Sequence, residues 1–111
     1  MLKGELGFNG VVFTDDLTMG AISEQYTTDE AAVKALNAGC DMLLVCFEYE
    51  NAENTIDAIV SAVESGTLSE ERLDDAVLRI LRMKNTCNVN SEQIKEPDIE
   101  AMNAKTAEFL E

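Results

Sequence analysis

The stretch Gly7-Phe8-Asn9-Gly10-Val11-Val12-Phe13-Thr14-Asp15-Asp16-Leu17-Thr18-Met19-Gly20 decides the fold. A short apolar run ends abruptly in two adjacent carboxylates, with glycines before and after. A buried strand that delivers acids to its own C-terminal end is how α/β proteins present catalytic groups. Val11, Val12 and Phe13 are consecutive apolar β formers, so a strand over residues 10–14 is buried on both faces, as in a parallel sheet. If the extended geometry continues, Asp15 and Asp16 point to opposite sides. One can then face a cavity while the other caps or braces the loop.

The chain downstream reads as the frame for such a strand. Residues 2–7 resemble a last helical turn with Gly7 in the C′ position. Residues 17–26 are expected to be loop. Thr27-Thr28-Asp29-Glu30 is a capping box, and an alanine-rich helix over 28–38 follows it and ends at Gly39. Residues 41–47 form a second strand, apolar on both faces. Strand, helix and strand with short connections make a βαβ unit with right-handed parallel pairing. Glu48, Tyr49 and Glu50 then fall on the same rim as Asp15. Asn51 can cap a helix over 52–65, in which Ala52, Ile56, Ile59, Val60 and Val63 lie at helical spacing. Ser69 caps another, with Leu68 and Leu73 in hydrophobic-staple positions. Residues 85–96 lapse into a polar linker, and Pro97 starts a helix to 110 with Ile99, Met102, Thr106, Phe109 and Leu110 as its stripe. The domain reading is 1–84 as the α/β portion and 85–111 as linker and C-terminal helix.

Composition narrows the function. The 111 residues carry 22 acidic and 8 basic side chains, a net charge of −14. That argues against nucleic acid or an anionic membrane surface as partner, since both need a basic footprint. No run approaches the ~18 apolar residues of a membrane span. Cys40, Cys46 and Cys87 are an odd count without a C-x-x-C. The first two flank one strand, roughly 20 Å apart at ~3.3 Å per residue, too far to pair. Free thiols suit a reducing cytoplasm. The sequence has no histidine, which removes the commonest general base and the usual zinc sites. No cofactor and no metal are expected.

Asp15 and Asp16 admit three uses. They can be ordinary loop aspartates that satisfy turn amides. One can be a glycosidase nucleophile, attacking an anomeric carbon while a second group protonates the leaving oxygen. One can be a phosphoacceptor, with Met19 in the following loop. The last reading wants an acidic pair after an earlier strand and a Lys after a later one; there is no earlier strand, and the second strand ends in Cys46-Phe47-Glu48.

The stretch from Glu5 to Ala21 resembles the nucleophile segment of glycoside hydrolase family 3. It is most similar to the β-N-acetylglucosaminidase branch, whose pattern is G-F-x-G-V-[IV]-x-S-D-D-L-x-M. Residues 31–46, AAVKALNAGCDMLLVC, resemble the next helix and strand of that branch, and residues 65–84 resemble the close of its barrel domain. The resemblance covers about residues 2–84. It implies a partial β/α (TIM-type) barrel made of the last two strand–helix units. It implies Asp15 as the nucleophile that forms a covalent glycosyl-aspartate, Asp16 as a supporting brace, and Met19 as a wall of the sugar pocket. Thr14 stands where the family usually has Ser and keeps the hydroxyl.

The same resemblance puts the acid/base, a His with a partner Asp, on an earlier loop, with a Lys and a second His-containing motif that bind sugar. None of these can be in a chain without His. The expectation is a C-terminal piece of a retaining β-N-acetylhexosaminidase domain, with Met1 not the natural start of the parent. The parent would act on carbohydrate, and the isolated chain would be inactive and prone to self-association. The alternative is a non-enzymatic acidic α/β assembly or interaction module in which Asp15 is structural.

Overall fold

The computed structural model describes residues 2–89 and 98–110, without the side chains of residues 109 and 110. The expected helix start at Pro97, most of the expected linker, and the Phe109 and Leu110 end of the last apolar stripe lie outside the described residues.

Two short parallel strands, β1 (Phe13–Asp16) and β2 (Met42–Leu44), form the sheet. A one-turn helix, α1 (Gly20–Ser23), and then α2 (Thr28–Ala38) connect them. Helices α3 (Tyr49–Glu64), α4 (Glu70–Thr86) and α5 (Ile99–Leu110) follow. The architecture is α/β, and the βαβ order and parallel pairing are those read from the sequence.

Local chemistry explains the best-placed element. The Glu30 amide donates to Thr27 Oγ1 at 3.2 Å, and Glu30 Oε2 accepts from the Thr27 amide at 3.1 Å, closing both halves of the capping box that opens α2. Gly39 ends the helix at φ 109°, a conformation that costs a residue with a Cβ far more. Ser69 caps α4 through the Arg72 amide at 3.2 Å.

Five boundaries differ from the sequence reading. Strand β1 begins at Phe13 instead of residue 10 and includes Asp15 and Asp16, and β2 is confined to Met42–Leu44 within the expected 41–47. The loop over 17–26 contains α1, a single turn whose N-cap, Met19, makes no side-chain capping bond. Helix α3 starts at Tyr49, so Asn51 lies inside it, and Glu48 occupies the N-cap at φ 59°. Asn51 instead donates from Nδ2 to the Phe47 carbonyl at 2.7 Å. Helix α4 runs on to Thr86, two residues into the expected linker.

The core has two small centres that share Leu43. Ala31 and Ala32 of α2 pack on Leu17, with Ile22 alongside. Leu36, Ala62 and Leu68 form the other, flanked by Val33, Ile59 and Val63. The small side chains of α2 let it approach β2 on one side and α3 on the other. The opposite face of the sheet is open: Phe13 is 50% exposed and Leu44 40%. Among the described residues no helix is long and apolar enough to cross a membrane.

One buried cluster had no signal in the sequence. The Asp41 side chain is fully buried, where a lone carboxylate is costly. It accepts from Lys3 Nζ at 2.6 Å, Arg72 Nη2 at 3.1 Å and the Val12 amide at 3.0 Å. Arg72 also donates from Nε to the Leu36 carbonyl at 2.9 Å. Burial pushes the Asp41 carboxyl up, but the bonds from Lys3, Val12 and Arg72 and the Lys3 charge outweigh it and leave the pKa below its usual value. The N-terminal segment, the entry to both strands and α4 are joined at this one carboxylate.

Candidate active site

The C-terminal ends of the strands hold Asp15, Asp16 and Met19 within one turn of chain. Phe13 and Asp15 are exposed, whereas Thr14 and Asp16 are half-buried. The two aspartates therefore face different surroundings, as strand alternation requires.

Asp16 faces the protein. Its Oδ2 accepts from the Thr18 hydroxyl at 2.6 Å, and its Oδ1 from the amides of Thr18 and Cys46, each at 3.1 Å. The Thr18 hydroxyl, then the Thr18 and Cys46 amides, hold the Asp16 carboxyl below its usual pKa against a smaller opposing push from desolvation. Asp16 is thus a charged clasp between the end of β1, the loop after it and the end of β2.

Asp15 faces outward. Its Oδ1 accepts from the Asp16 amide at 2.8 Å. Among the described residues that is the only hydrogen bond to its carboxylate, so Oδ2 is free to attack an electrophile. Leu17, next along, is buried and anchors the loop, its amide donating to the Leu44 carbonyl at 2.9 Å. Met19 is 49% exposed on the same loop. Glu48 and Tyr49 lie at the end of β2 on the same rim, with Tyr49 81% exposed at the start of α3. Among the described residues neither Glu48 nor Glu50 bonds to Asp15, so the structure does not join a second carboxylate to it. No cluster of three or more His, Cys, Asp or Glu is arranged among them to hold a metal ion.

Thr14 is the residue whose place the sequence reading left open. Its hydroxyl accepts from the Leu44 amide at 3.0 Å, so a side chain makes a strand-to-strand rung. The signal was present in the sequence as a hydroxyl kept beside the acidic pair.

Residues 1–83 match the model of the glycosyl hydrolase family 3 N-terminal domain. The chain belongs to this family. A β-hexosaminidase of Idiomarina loihiensis is 36% identical over 96 residues, which is 86% of this chain and 26% of that protein. A β-N-acetylglucosaminidase/β-glucosidase of Cellulomonas fimi is 34% identical over 84 residues, 76% of this chain and 14% of that protein. The solved structure of a glycoside hydrolase family 3 β-N-acetylglucosaminidase from Paenibacillus sp. str. FPU-7 superposes with a TM-score of 0.80 at 44% identity, over 88% of this chain and 19% of that one. The chain thus spans about a quarter or less of the length of these relatives.

Proposed function

We propose that this chain is the nucleophile-bearing part of a retaining β-N-acetylhexosaminidase, and that Asp15 is the nucleophile. The observation that carries the reading is the asymmetry of the two carboxylates in a family 3 chain. Asp16 is consumed by bonds to the protein, while Asp15 presents a free oxygen outward at the end of a strand.

The chemistry follows from that oxygen. Asp15 Oδ2 attacks the anomeric carbon of a terminal β-linked N-acetylhexosamine. The glycosidic bond breaks, its electron pair goes to the leaving oxygen, and a glycosyl ester forms on Asp15. Water then attacks the same carbon from the opposite face, giving a proton to the group that protonated the leaving oxygen; the carbon–Asp15 bond breaks with its electron pair returning to the carboxylate, and two inversions give net retention. The Asp16 amide on Oδ1 fixes the carboxylate plane without adding a positive charge, so Asp15 keeps its negative charge for the oxocarbenium-like transition state.

The leaving oxygen needs a proton, and a chain without His lacks the donor that the family resemblance implies. A missing general acid alone costs roughly 10²–10⁴-fold. The fold in this reading is a partial β/α barrel, supported by the open sheet face at Phe13 and Leu44. The isolated chain is therefore inactive, and its open strand edges favour self-association. Carbohydrate is the substrate of the larger assembly. A cytoplasmic setting belongs to the same proposal, motivated by three cysteines that are free in the structure.

The test is a chimera in which this chain replaces the matching segment of the Paenibacillus enzyme. Turnover of an aryl N-acetyl-β-glucosaminide that disappears in Asp15→Ala supports the reading. Equal turnover in the Asp15→Ala chimera overturns it and favours the assembly module.

A further inference from the structure

The strand pair that presents Asp15 is out of step. Phe13 lies opposite Met42, and Asp16 lies opposite Leu44, so three steps along β1 cover two along β2. A parallel ladder cannot keep even rungs across such a bulge. Two side-chain oxygens of β1 take up the β2 amides beyond Met42. Thr14 Oγ1 accepts from Leu44 at 3.0 Å, and Asp16 Oδ1 accepts from Cys46 at 3.1 Å. Between them the Leu44 carbonyl accepts from the Leu17 amide at 2.9 Å.

We infer that Thr14 and Asp16 are a pair of positioning residues: by capturing the Leu44 and Cys46 amides they hold the shifted β1–β2 register that keeps the Asp15 carboxylate on the open side of the sheet. The geometry stands on these bonds alone, while its catalytic consequence rests on the reading of Asp15 as nucleophile. The register shift falls between Phe13 and Asp16. Slipping the register by one residue would send alternate side chains to the other face. The register therefore decides whether Asp15 meets a substrate or the packed side of the sheet. Without the Thr14 oxygen, the Leu44 amide loses its partner, and the nearest repair is a shift of β1. The same anchors fix the Asp16 peptide, whose N–H holds Asp15 Oδ1 at 2.8 Å.

The pair is testable in the 111-residue chain by NMR. The readouts are the Asp15 χ1 couplings and the hydrogen exchange of the Leu44 and Cys46 amides. In Thr14→Val and Asp16→Ala, the single Asp15 rotamer is expected to average, and both amides to exchange at least about 10-fold faster, while Ala32 and Leu68 keep their protection. Thr14→Ser keeps the oxygen and is expected to rescue both readouts. An Asp15 rotamer that stays single in Thr14→Val and Asp16→Ala overturns the inference. If either variant unfolds the isolated chain, the measurement moves to the chimera. There Thr14→Val is expected to lower kcat by about 100-fold with KM changed less than about twofold, and Thr14→Ser to restore kcat. A kcat unchanged by Thr14→Val overturns the inference in that setting. An Asp15→Ala chimera that stays active counts against the nucleophile and not against the NMR result, so the two failures are separable.

Discussion

The two ends of the β1–β2 pair use the same device for different ends. At the N-terminal end, Asp41 reaches across the strands to the Val12 amide; at the C-terminal end, Asp16 reaches across to the Cys46 amide. Asp41 is sealed from solvent and matched by Lys3 and Arg72. Asp16 and its neighbour Asp15 are held by neutral donors alone, at a surface. A cationic partner makes a buried carboxylate tolerable and also exhausts its field. A carboxylate without one keeps its charge for whatever arrives. In the partial barrel proposed above, the first arrangement would belong to the stability face of the strands and the second to the reactive face.

The sharpest break in this contrast is chemical. Asp15→Ala in the chimera is expected to lower kcat by at least about 10⁴-fold, the scale on which members of a catalytic unit fail. Its unfolding midpoint should barely move, because Asp15 is exposed and, among the described residues, its carboxylate bonds only to its neighbour's amide. A steady-state assay beside a urea melt reads both.

Asp41→Ala should do the reverse. Removing the shared carboxylate takes the buried counter-charge from Lys3 and leaves Arg72 only the half-exposed Asp75 at 3.6 Å, a loss of about 3–5 kcal/mol. Urea denaturation of the isolated chain measures it. A loss under about 1 kcal/mol would place Asp41 with ordinary surface pairs and erase the contrast between the two ends.

Acid should weaken the N-terminal end. The Asp41 carboxyl titrates below its usual value in the folded chain. A lowered pKa adds stability that is present above the unfolded value and lost as pH falls through the folded one. Wild type should therefore lose stability below about pH 4, and Asp41→Asn should lack that component. Parallel slopes for the two proteins between pH 5 and pH 3 would contradict the assignment.

The smallest effect tests the helix that bridges the two ends. Thr27→Ala breaks half of the capping box on α2 and should cost about 1 kcal/mol. Asp15 geometry should stay as it was.

What the sequence showed, and what it hid, divides along chain separation. Helix α2 was legible to the residue because its start and stop are written within it: Thr27 and Glu30 lie three apart, and Gly39 follows directly. The acidic pair at a strand end was legible for the same reason. The bulge was not, because the Thr14 and Asp16 bonds join residues 30 apart. Nor was the Asp41 cluster, whose cations come from 38 and 31 residues away. Asn51 misled because capping propensity is a local prior. The chain instead enters α3 one turn earlier, with Glu48 at positive φ and the Asn51 amide on the Phe47 carbonyl.

The register mismatch has a consequence for transplantation. An engineer who grafts a single aspartate onto another strand end copies a carboxylate but not its aim. The portable unit is Thr14 through Leu17 together with Leu44 and Cys46, two patches of sequence with both α1 and α2 between them. Inserting one residue between Thr14 and Asp16 would keep every one of these groups in the chain and still move Asp15 relative to the anchors on Leu44 and Cys46.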